Sequence, residues 1–383
     1  MYANPGHYHI DTRRGIDMGR QKIIWSDVAC GLKRELSERG LSRVLLVCGE
    51  KMGRSDIGQL LLKKPLIGAV YGDFEPNPAY EHVLQALKIF EENRCNAILA
   101  LGGGSAIDIA KCVKAFYGMD PSVNFLEQKV VPNQIPLAVV PTTAGTGSEA
   151  TSFAVIYYKN RKYSVEDSSL VPELVLMDAS LLKTLPVYQK KVTMLDAFCH
   201  CVESYWSKNA TVESRKYAEE GICLILGNYR MYLDGEESVA PNMLLAANYA
   251  GKAINIAKTT AAHAMCYKMT KLYGLPHGHA AALCLAVVWK YTWQLARSQE
   301  NGEVLKSLET LANCLGCGTI EASIQLYLDL LQELGISFDA ICGRGDFSIL
   351  AGSVNAERLK NHPIVFGQEE IQEMYTEIMG GSI

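Results

Sequence analysis

The sequence predicts an α/β protein of two domains, with a helix-covered parallel sheet in residues 1–185 and an all-helical domain in residues 186–383. The chain of 383 residues is long enough for both, since a domain usually takes about 100–200 residues. In the first half, short apolar runs alternate with amphipathic segments, which is typical of strands joined by helices. After Pro186, long helical stretches follow without a convincing strand.

Four apolar runs in the first half predict buried strands, because their hydrophobicity is continuous rather than alternating. They cover residues 43–48, 67–71, 97–101 and 137–140. An amphipathic helix is predicted for residues 79–93, and residues 178–186 are interpreted as the link between the domains. A last helix is predicted for residues 368–379, after the break at Asn361, His362 and Pro363.

Composition excludes several classes of protein. The net charge of -4 and the pI near 6.1 provide no basic surface for sequence-independent binding to nucleic acid. No apolar run approaches the roughly 18 residues of a membrane span, and residues 1–20 lack the apolar core of a secretory signal. Because the twelve cysteines lack a disulfide-like or zinc-ribbon spacing, we interpret them as reduced thiols and expect a cytoplasmic protein.

Two glycine-rich loops follow predicted strands. Residues 99–111 read LALGGGSAIDIAK, and we predict a helix that begins at Ser105 and is capped by its hydroxyl. A tight turn between strand and helix needs fewer than three consecutive glycines, so phosphate binding at the helix N-terminus is favoured. Residues 139–151 read VVPTTAGTGSEAT, and their small hydroxylated residues suit a cofactor groove at the carboxyl ends of parallel strands.

The helical half contains a candidate metal site. Asp196 and His200 are four residues apart and therefore share one helix face. With His263 and His277 they make a nitrogen and oxygen donor set suited to Fe²⁺ or Zn²⁺. Each histidine is by itself more often a packing residue than a ligand, and His279 competes with His277 for the same role.

Taken together, these motifs resemble the iron-containing (group III) alcohol dehydrogenase family. The resemblance covers residues 23–378 and rests on GGGSAIDIAK, PTTAGTGSEAT, Asp196-x3-His200, His263 and Pro276-His277-Gly278. It implies a Rossmann-like dinucleotide-binding domain of the dehydroquinate synthase-like type, followed by a helical metal-binding and catalytic domain. It also implies aldehyde reduction or alcohol oxidation, in which the metal polarises the carbonyl and a nicotinamide exchanges hydride.

The resemblance assigns residues to both cofactors. The implied metal is Fe²⁺, with Zn²⁺ or Mn²⁺ in some members, and its ligands are Asp196, His200, His263 and His277. The implied coenzyme is NADH or NADPH, since Gly49 leaves room for a 2′-phosphate whereas Glu50 would repel one. The coenzyme-binding residues implied are Gly49, Glu50, Gly103, Gly104, Ser105, Asp108, Thr142, Thr143, Thr146, Ser148 and Lys162.

The sequence departs from the family near the expected reaction centre. Family members often carry a histidine where this chain has Tyr267, so Tyr267, His279 or a water chain is expected to deliver the proton. A continuous helix would place Lys252, Asn255 and Thr259 on the face of His263. With Ile254 and Ser152, these residues are the predicted substrate contacts.

A cationic and hydroxylated wall suits an aldehyde with an anionic head group, such as sulfoacetaldehyde or phosphonoacetaldehyde. The motifs around His263 and His277 also resemble the subgroup that reduces those two aldehydes. If Lys252 instead reaches solvent, a general short-chain alcohol or diol dehydrogenase is expected. A dehydroquinate synthase-like lyase and a non-catalytic binding protein are weaker alternatives. The resemblance suggests a homodimer with no nucleic-acid or membrane partner.

Overall fold

The computed structural model describes residues 16–18, 21–28, 31, 35, 41–63, 65–159, 161–338, 346–354 and 359–380. The chain divides into two compact units, one of residues 9–185 and one that contains residues 186–383. No helix in the described part of the chain combines the length and the apolar character needed to cross a bilayer.

The first unit is built on a seven-stranded sheet and a separate two-stranded hairpin. Its strands, in chain order, are β1 (Ile16–Met18), β2 (Gln21–Trp25), β3 (Val44–Val47), β4 (Ile67–Tyr71), β5 (Ala97–Gly102), β6 (Leu137–Pro141), β7 (Phe153–Tyr158), β8 (Arg161–Glu166) and β9 (Leu174–Met177). The large sheet has the order β1-β2-β9-β6-β5-β3-β4, and β7 pairs with β8. All its pairs are parallel except the antiparallel edge pair of β1 and β2.

The four predicted strands are confirmed as β3, β4, β5 and β6. Every residue of β3, β5 and β6 is buried, which explains why these runs are apolar without alternation. The predicted helix at 79–93 is confirmed as Tyr80–Glu92, one residue shorter at each end. The helices of this unit with fully described bounds are α1 (Glu50–Gly53), α2 (Asp56–Leu62), α3 (Tyr80–Glu92) and α4 (Gly104–Phe116).

Within its described residues, the second unit contains helices and connecting loops but no strand, as the sequence predicts. The last predicted helix, at residues 368–379, is also confirmed. The helices with fully described bounds are α5 (Val187–Trp206), α6 (Val212–Leu233), α7 (Ala240–Ala257), α8 (Ala261–Tyr273), α9 (His277–Ser298), α10 (Gly302–Cys314), α11 (Ile320–Leu334), α12 (Asp346–Gly352) and α13 (Gln368–Met379).

Helix α5 lies at the centre of the helical unit. Every residue from Val192 to Trp206 is buried, and the helix packs against α6, α7 and α9. A helix that is covered on all sides holds its polar side chains inside the protein, where each one requires a partner. The candidate ligands Asp196 and His200 therefore lie within the core of this unit.

Candidate functional site

Three of the four predicted metal ligands, all histidines, converge on a carboxylate oxygen of the fourth, Asp196. Asp196 Oδ1 lies 3.4 Å from His263 Nε2, 3.9 Å from His200 Nε2 and 3.9 Å from His277 Nε2. Donor atoms of Asp196, His263 and His277 all lie within 4.8 Å of one another. Residues from α5, α8 and α9 are thus brought to a single point.

Local sequence explains how the three helices meet there. Asp196 and His200 are one turn apart on α5, His263 is the third residue of α8, and His277 is the first of α9. Gly278 lets α9 approach α5 closely, because a Cβ at this position would lie only 1.9 Å from the carbonyl oxygen of Val192. The glycine of the Pro-His-Gly motif therefore brings His277 up to Asp196.

The electrostatics of this cluster fit a cation. Burial alone would raise the pKa of Asp196, but His200, His263 and His277 outweigh it and hold that pKa below its usual range. Asp196 Oδ1 and His263 Nε2 are buried, and among the residues that the structure describes neither makes a hydrogen bond of normal geometry. Unsatisfied buried polar atoms are costly, so two that face each other are suited to a shared metal ion. The donor set of one carboxylate and three imidazoles fits Fe²⁺ or Zn²⁺.

Glu203 is a site residue that the sequence interpretation missed. It is fully buried on α5, and its carboxylate accepts hydrogen bonds from His263 Nδ1, His263 N and the backbone and hydroxyl groups of Thr260. Burial would raise the pKa of Glu203, but His263 and these hydrogen bonds lower it to about 2. Helical spacing was the available signal, because a residue seven positions after Asp196 lies on nearly the same face.

The structure does not support His279 in proton delivery or as a rival ligand. Its Nε2 lies 2.9 Å from the carbonyl oxygen of Ser337, so this nitrogen must donate, and its Nδ1 lies 2.7 Å from the Tyr188 hydroxyl. Both ring nitrogens are therefore engaged within the protein. His277, by contrast, places Nε2 beside Asp196, so the geometry chooses His277 over His279.

Tyr267 lies beside the candidate metal centre. Its half-buried ring stacks on the His277 imidazole, with ring centroids 5.4 Å apart and planes 11° from parallel. Tyr267 remains a predicted proton donor, with a water chain as the alternative.

The helical-face argument for the substrate residues is wrong. Helix α7 ends at Ala257, Lys258 has a positive φ of 62°, and α8 begins only at Ala261. A continuous helix from Lys252 to His263 therefore does not exist, and the two residues have no common helical face. The Lys252 ammonium lies over two tyrosine rings, 5.7 Å from the centroid of Tyr217 and 5.5 Å from that of Tyr249.

The other predicted substrate residues differ in exposure. Ile254 is buried, whereas Asn255 and Thr259 are half-buried, and the Thr259 carbonyl accepts a hydrogen bond from Asn361. Ser152, in the sheet unit, is half-buried and accepts a hydrogen bond from the Asp167 amide through its carbonyl. Their contact with substrate stays a prediction.

The two glycine-rich loops of the sheet unit pack against each other. A Cβ on Gly103 would lie 3.2 Å from Thr143 Oγ1, and a Cβ on Gly104 would lie 2.9 Å from Thr146 Cγ2. Helix α4 begins at Gly104 with Gly103 as its N-cap, which corrects the predicted start and cap at Ser105. The Ser105 hydroxyl instead accepts a hydrogen bond from the Asn77 amide at 3.3 Å.

Buried polar residues brace the second loop from behind. Asp108 accepts hydrogen bonds from the Ser148 hydroxyl at 2.7 Å and from the Val155 amide at 3.1 Å. Lys111 is fully buried and donates to Ser148 O, Thr151 O and Phe153 O, a role that the sequence interpretation missed. Asp108 and Ser148 therefore support the loop, and their contact with a coenzyme stays a prediction.

The remaining predicted coenzyme residues lie in the same unit. Gly49 is the N-cap of α1, and a Cβ there would meet no atom closer than 3.7 Å. Glu50 is exposed and pairs with Arg54, Thr142 is buried, and Lys162 on β8 lowers the pKa of Asp108 through its charge. For Asp108, burial is the larger effect and raises the pKa.

Two family models match nearly the whole chain. The model of iron-containing alcohol dehydrogenases matches residues 22–179, and the model of the C-terminal domain of the Fe-containing alcohol dehydrogenase family matches residues 190–379. The chain belongs to the iron-containing alcohol dehydrogenase family. Membership makes it an oxidoreductase of alcohols and aldehydes rather than a lyase or a non-catalytic protein, and it implies iron and NAD(H).

Curated relatives and solved structures agree with this membership. The chain is 31% identical over 324 residues to 4-hydroxybutyrate dehydrogenase from Clostridium kluyveri, covering 80% of this chain and 85% of that one. It is 29% identical over 362 residues to alcohol dehydrogenase 4 of Schizosaccharomyces pombe, covering 90% of this chain and 84% of that one.

Two solved structures share the fold of this iron-containing alcohol dehydrogenase. An iron-containing alcohol dehydrogenase from Thermococcus thioreducens superposes with a TM-score of 0.85 at 24% identity, covering 94% of this chain and 99% of that one. Sulfoacetaldehyde reductase from Bifidobacterium kashiwanohense, in complex with NAD⁺, superposes with a TM-score of 0.84 at 23% identity, covering 96% of this chain and 99% of that one. The predicted fold class is thereby confirmed.

Proposed function

We propose that this iron-containing alcohol dehydrogenase interconverts a short-chain aldehyde and its primary alcohol, with a divalent metal ion held by Asp196, His200, His263 and His277. The observation that carries the proposal is the convergence of three imidazoles on Asp196 Oδ1 within 3.9 Å. The metal, when bound, would polarise the substrate carbonyl, and the nicotinamide would exchange hydride with the substrate carbon.

The residues of the chain have three tasks in this reaction. Asp196 and the three histidines would bind the ion; Asp196, His200 and His263 are buried, and His277 is half-buried. Gly103 and Gly104, at the N-terminus of α4, leave the backbone amides open to the coenzyme pyrophosphate. Tyr267 Oη would pass a proton to the substrate oxygen, more slowly than an imidazole because a phenol has an ordinary pKa of about 10.

The substrate we propose is an aldehyde with an anionic head group, with sulfoacetaldehyde and phosphonoacetaldehyde as the leading candidates. Two observations support this class. The motifs around His263 and His277 resemble those of the subgroup that acts on these compounds. The relative from Clostridium kluyveri is named for 4-hydroxybutyrate, which also carries an anionic group.

A general short-chain alcohol or diol dehydrogenase is the second candidate. The position of Lys252 favours it, because its ammonium already lies over the rings of Tyr217 and Tyr249. A lysine held in this way requires no anionic substrate.

NADH and NADPH are both retained as coenzymes. Gly49 leaves space at the end of β3 that suits a 2′-phosphate, whereas the charge of Glu50 suits the unphosphorylated ribose. The metal is proposed to be Fe²⁺, with Zn²⁺ or Mn²⁺ as substitutes. Cytoplasmic location and a homodimer stay predictions.

The test is oxidation of NADH and NADPH by protein loaded with Fe²⁺, Zn²⁺ or Mn²⁺. Sulfoacetaldehyde, phosphonoacetaldehyde and 4-oxobutanoate are compared with propanal and lactaldehyde. A kcat/KM at least tenfold higher for one anionic aldehyde supports the proposed class. Equal values for charged and neutral aldehydes contradict it and support the general dehydrogenase.

A further inference from the structure

We propose that Glu203 is a positioning residue of the metal centre, which holds His263 with its Nδ1 protonated and its Nε2 available to the ion. It also supplies the second negative charge that a buried divalent ion requires. This inference rests on the proposed ligand set, since it concerns how one of those ligands is oriented.

Glu203 joins α5 to the first turn of α8. Its Oε1 accepts hydrogen bonds from Thr260 N at 2.9 Å, Thr260 Oγ1 at 2.7 Å and His263 N at 3.3 Å. These two amides belong to the N-cap and third residue of α8, so the carboxylate caps a helix on which it does not lie. The positive end of the α8 dipole stabilises the buried charge.

The second carboxylate oxygen determines the orientation of the ligand. Glu203 Oε2 is hydrogen-bonded to His263 Nδ1, and a carboxylate can only accept, so Nδ1 carries the proton. In the neutral imidazole, Nε2 then has a free lone pair, and this atom faces Asp196 Oδ1. A carboxylate behind a metal-binding histidine fixes both the ring orientation and the tautomer.

The charges of the site point to the same role. Asp196 and Glu203 are 3% and 0% exposed, and within the described part of the chain they form ion pairs with histidines alone. With neutral imidazoles, the two carboxylates carry a charge of -2, which a divalent ion neutralises. Neutrality matters because an uncompensated buried charge is strongly destabilising.

Further hydrogen bonds hold the carboxylate in place. The indole Nε1 of Trp206 donates to Thr260 Oγ1 at 3.0 Å, so the Thr260 hydroxyl hydrogen is directed to Glu203. All three residues are buried. Thr260 therefore offers a milder way to perturb Glu203 without removing its charge.

The decisive variant is Glu203→Gln, which keeps the size of the side chain. The amide oxygen must stay on the side of Thr260, where three donors point, so the amide nitrogen faces His263 Nδ1. Because the amide nitrogen donates, His263 Nδ1 would then have to accept a hydrogen bond. The ring proton would move to His263 Nε2 and block metal binding at that atom. We expect Zn²⁺ and Co²⁺ to bind about 10–100-fold more weakly in a chelator competition.

A second measurement separates positioning from general stability. In protein saturated with Co²⁺, each histidine that binds through Nε2 gives one paramagnetically shifted, exchangeable Nδ1–H signal in the proton NMR spectrum. Three signals are expected for the unmodified protein, from His200, His263 and His277. Glu203→Gln should lose one of them, whereas a purely structural residue would leave all three.

Matched variants complete the test. Glu219 on α6 accepts a hydrogen bond from Tyr205, which lies on α5 as Glu203 does. The variant Glu219→Gln removes this carboxylate charge, and the variant protein should bind metal normally. Thr260→Val should weaken binding about tenfold and Thr260→Ser should not, which keeps the test open if Glu203→Gln fails to fold.

The outcomes distinguish this inference from the proposed function. A folded Glu203→Gln protein with unchanged metal affinity and all three signals overturns the role of Glu203. If Glu203→Gln fails to fold, unchanged affinity in Thr260→Val overturns it. If the unmodified protein binds no divalent ion, or His263→Ala retains full affinity, the proposed ligand set itself is wrong.

Discussion

The carbonyl oxygen of Val192 lies so close to Gly278 that a Cβ there would be only 1.9 Å away. We expect Gly278→Ala to force α9 away from α5 and to lower the free energy of unfolding by about 1–3 kcal/mol, as overpacking does. Metal affinity should fall as well, because His277 would move away from Asp196. Urea unfolding and metal titration measure both effects.

Gly302→Ala is the control for this substitution. A Cβ at Gly302, the first residue of α10, meets no atom within 4 Å. Its effect should stay within about 0.5 kcal/mol, and metal affinity should not change. Equal effects of the two alanines would show that the contact with Val192 does not matter.

Alanine substitution of His263 and of His279 should affect different properties, metal binding for His263 and thermal stability for His279. His263→Ala removes a proposed ligand and should abolish both metal binding and activity. His279→Ala breaks the contacts with Tyr188 and Ser337, so it should lower thermal stability while the protein still binds metal. Metal content by atomic absorption, together with the melting temperature, separates the two. Loss of metal from His279→Ala alone would reverse the assignment.

The charge of Lys252 provides a test of substrate class. Lys252→Met keeps the packing of the stem on Tyr217 and Tyr249 but removes the charge, whereas Lys252→Arg retains it. If Lys252 contacts an anionic head group, the methionine variant should raise KM for sulfoacetaldehyde at least tenfold and leave KM for propanal nearly unchanged. Equal changes for both aldehydes would remove Lys252 from the substrate site.

His362 should make the protein sensitive to acid. Burial lowers its pKa from an ordinary 6.5 to about 3, so the folded state binds fewer protons than the unfolded state between these pH values. Stability must therefore fall as pH decreases through this range, by up to about 1.4 kcal/mol per pH unit from this residue.

His362→Phe tests this effect, because phenylalanine does not titrate and keeps a ring beside Trp206 and Phe366. Urea unfolding at pH 7, 6 and 5 should show a smaller loss of stability in the variant than in the unmodified protein. Parallel losses would show that His362 does not contribute.

Sequence patterns were sufficient for the parts of the fold that obey local rules. The runs that became β3, β5 and β6 are apolar throughout because both faces of the sheet are covered. The strands that were not predicted are β1, β2, β7, β8 and β9. Strands β2, β7 and β8 contain residues that are not buried, so their runs are not continuously apolar. Their pairing depends on their partners in the sheet more than on their own composition.

The end of α7 shows where helical periodicity fails. Counting along a continuous helix placed Lys252 near His263, but Lys258 turns the chain with a φ of 62°. Distant residues hold this turn, since the Ser207 hydroxyl donates to Ala257 O at 2.6 Å and Asn361 donates to Thr259 O at 3.4 Å. Neither contact leaves a mark in the sequence around Lys258.

The sequence by itself determined the alternation of strands and helices, the glycine-rich loops and the shared helix face of Asp196 and His200. Helical spacing left His277 and His279 as alternatives, and the family resemblance favoured His277. The tertiary structure brings His277 Nε2 to 3.9 Å from Asp196 Oδ1, and it alone placed Glu203 behind His263, 60 residues away in the chain. The physical reason is that sequence patterns relate only residues that lie close together along the chain. Backbone propensity and helical spacing relate residues within a turn or two, whereas the tautomer, charge and hydrogen bonds of a buried ligand depend on side chains that meet only when helices pack.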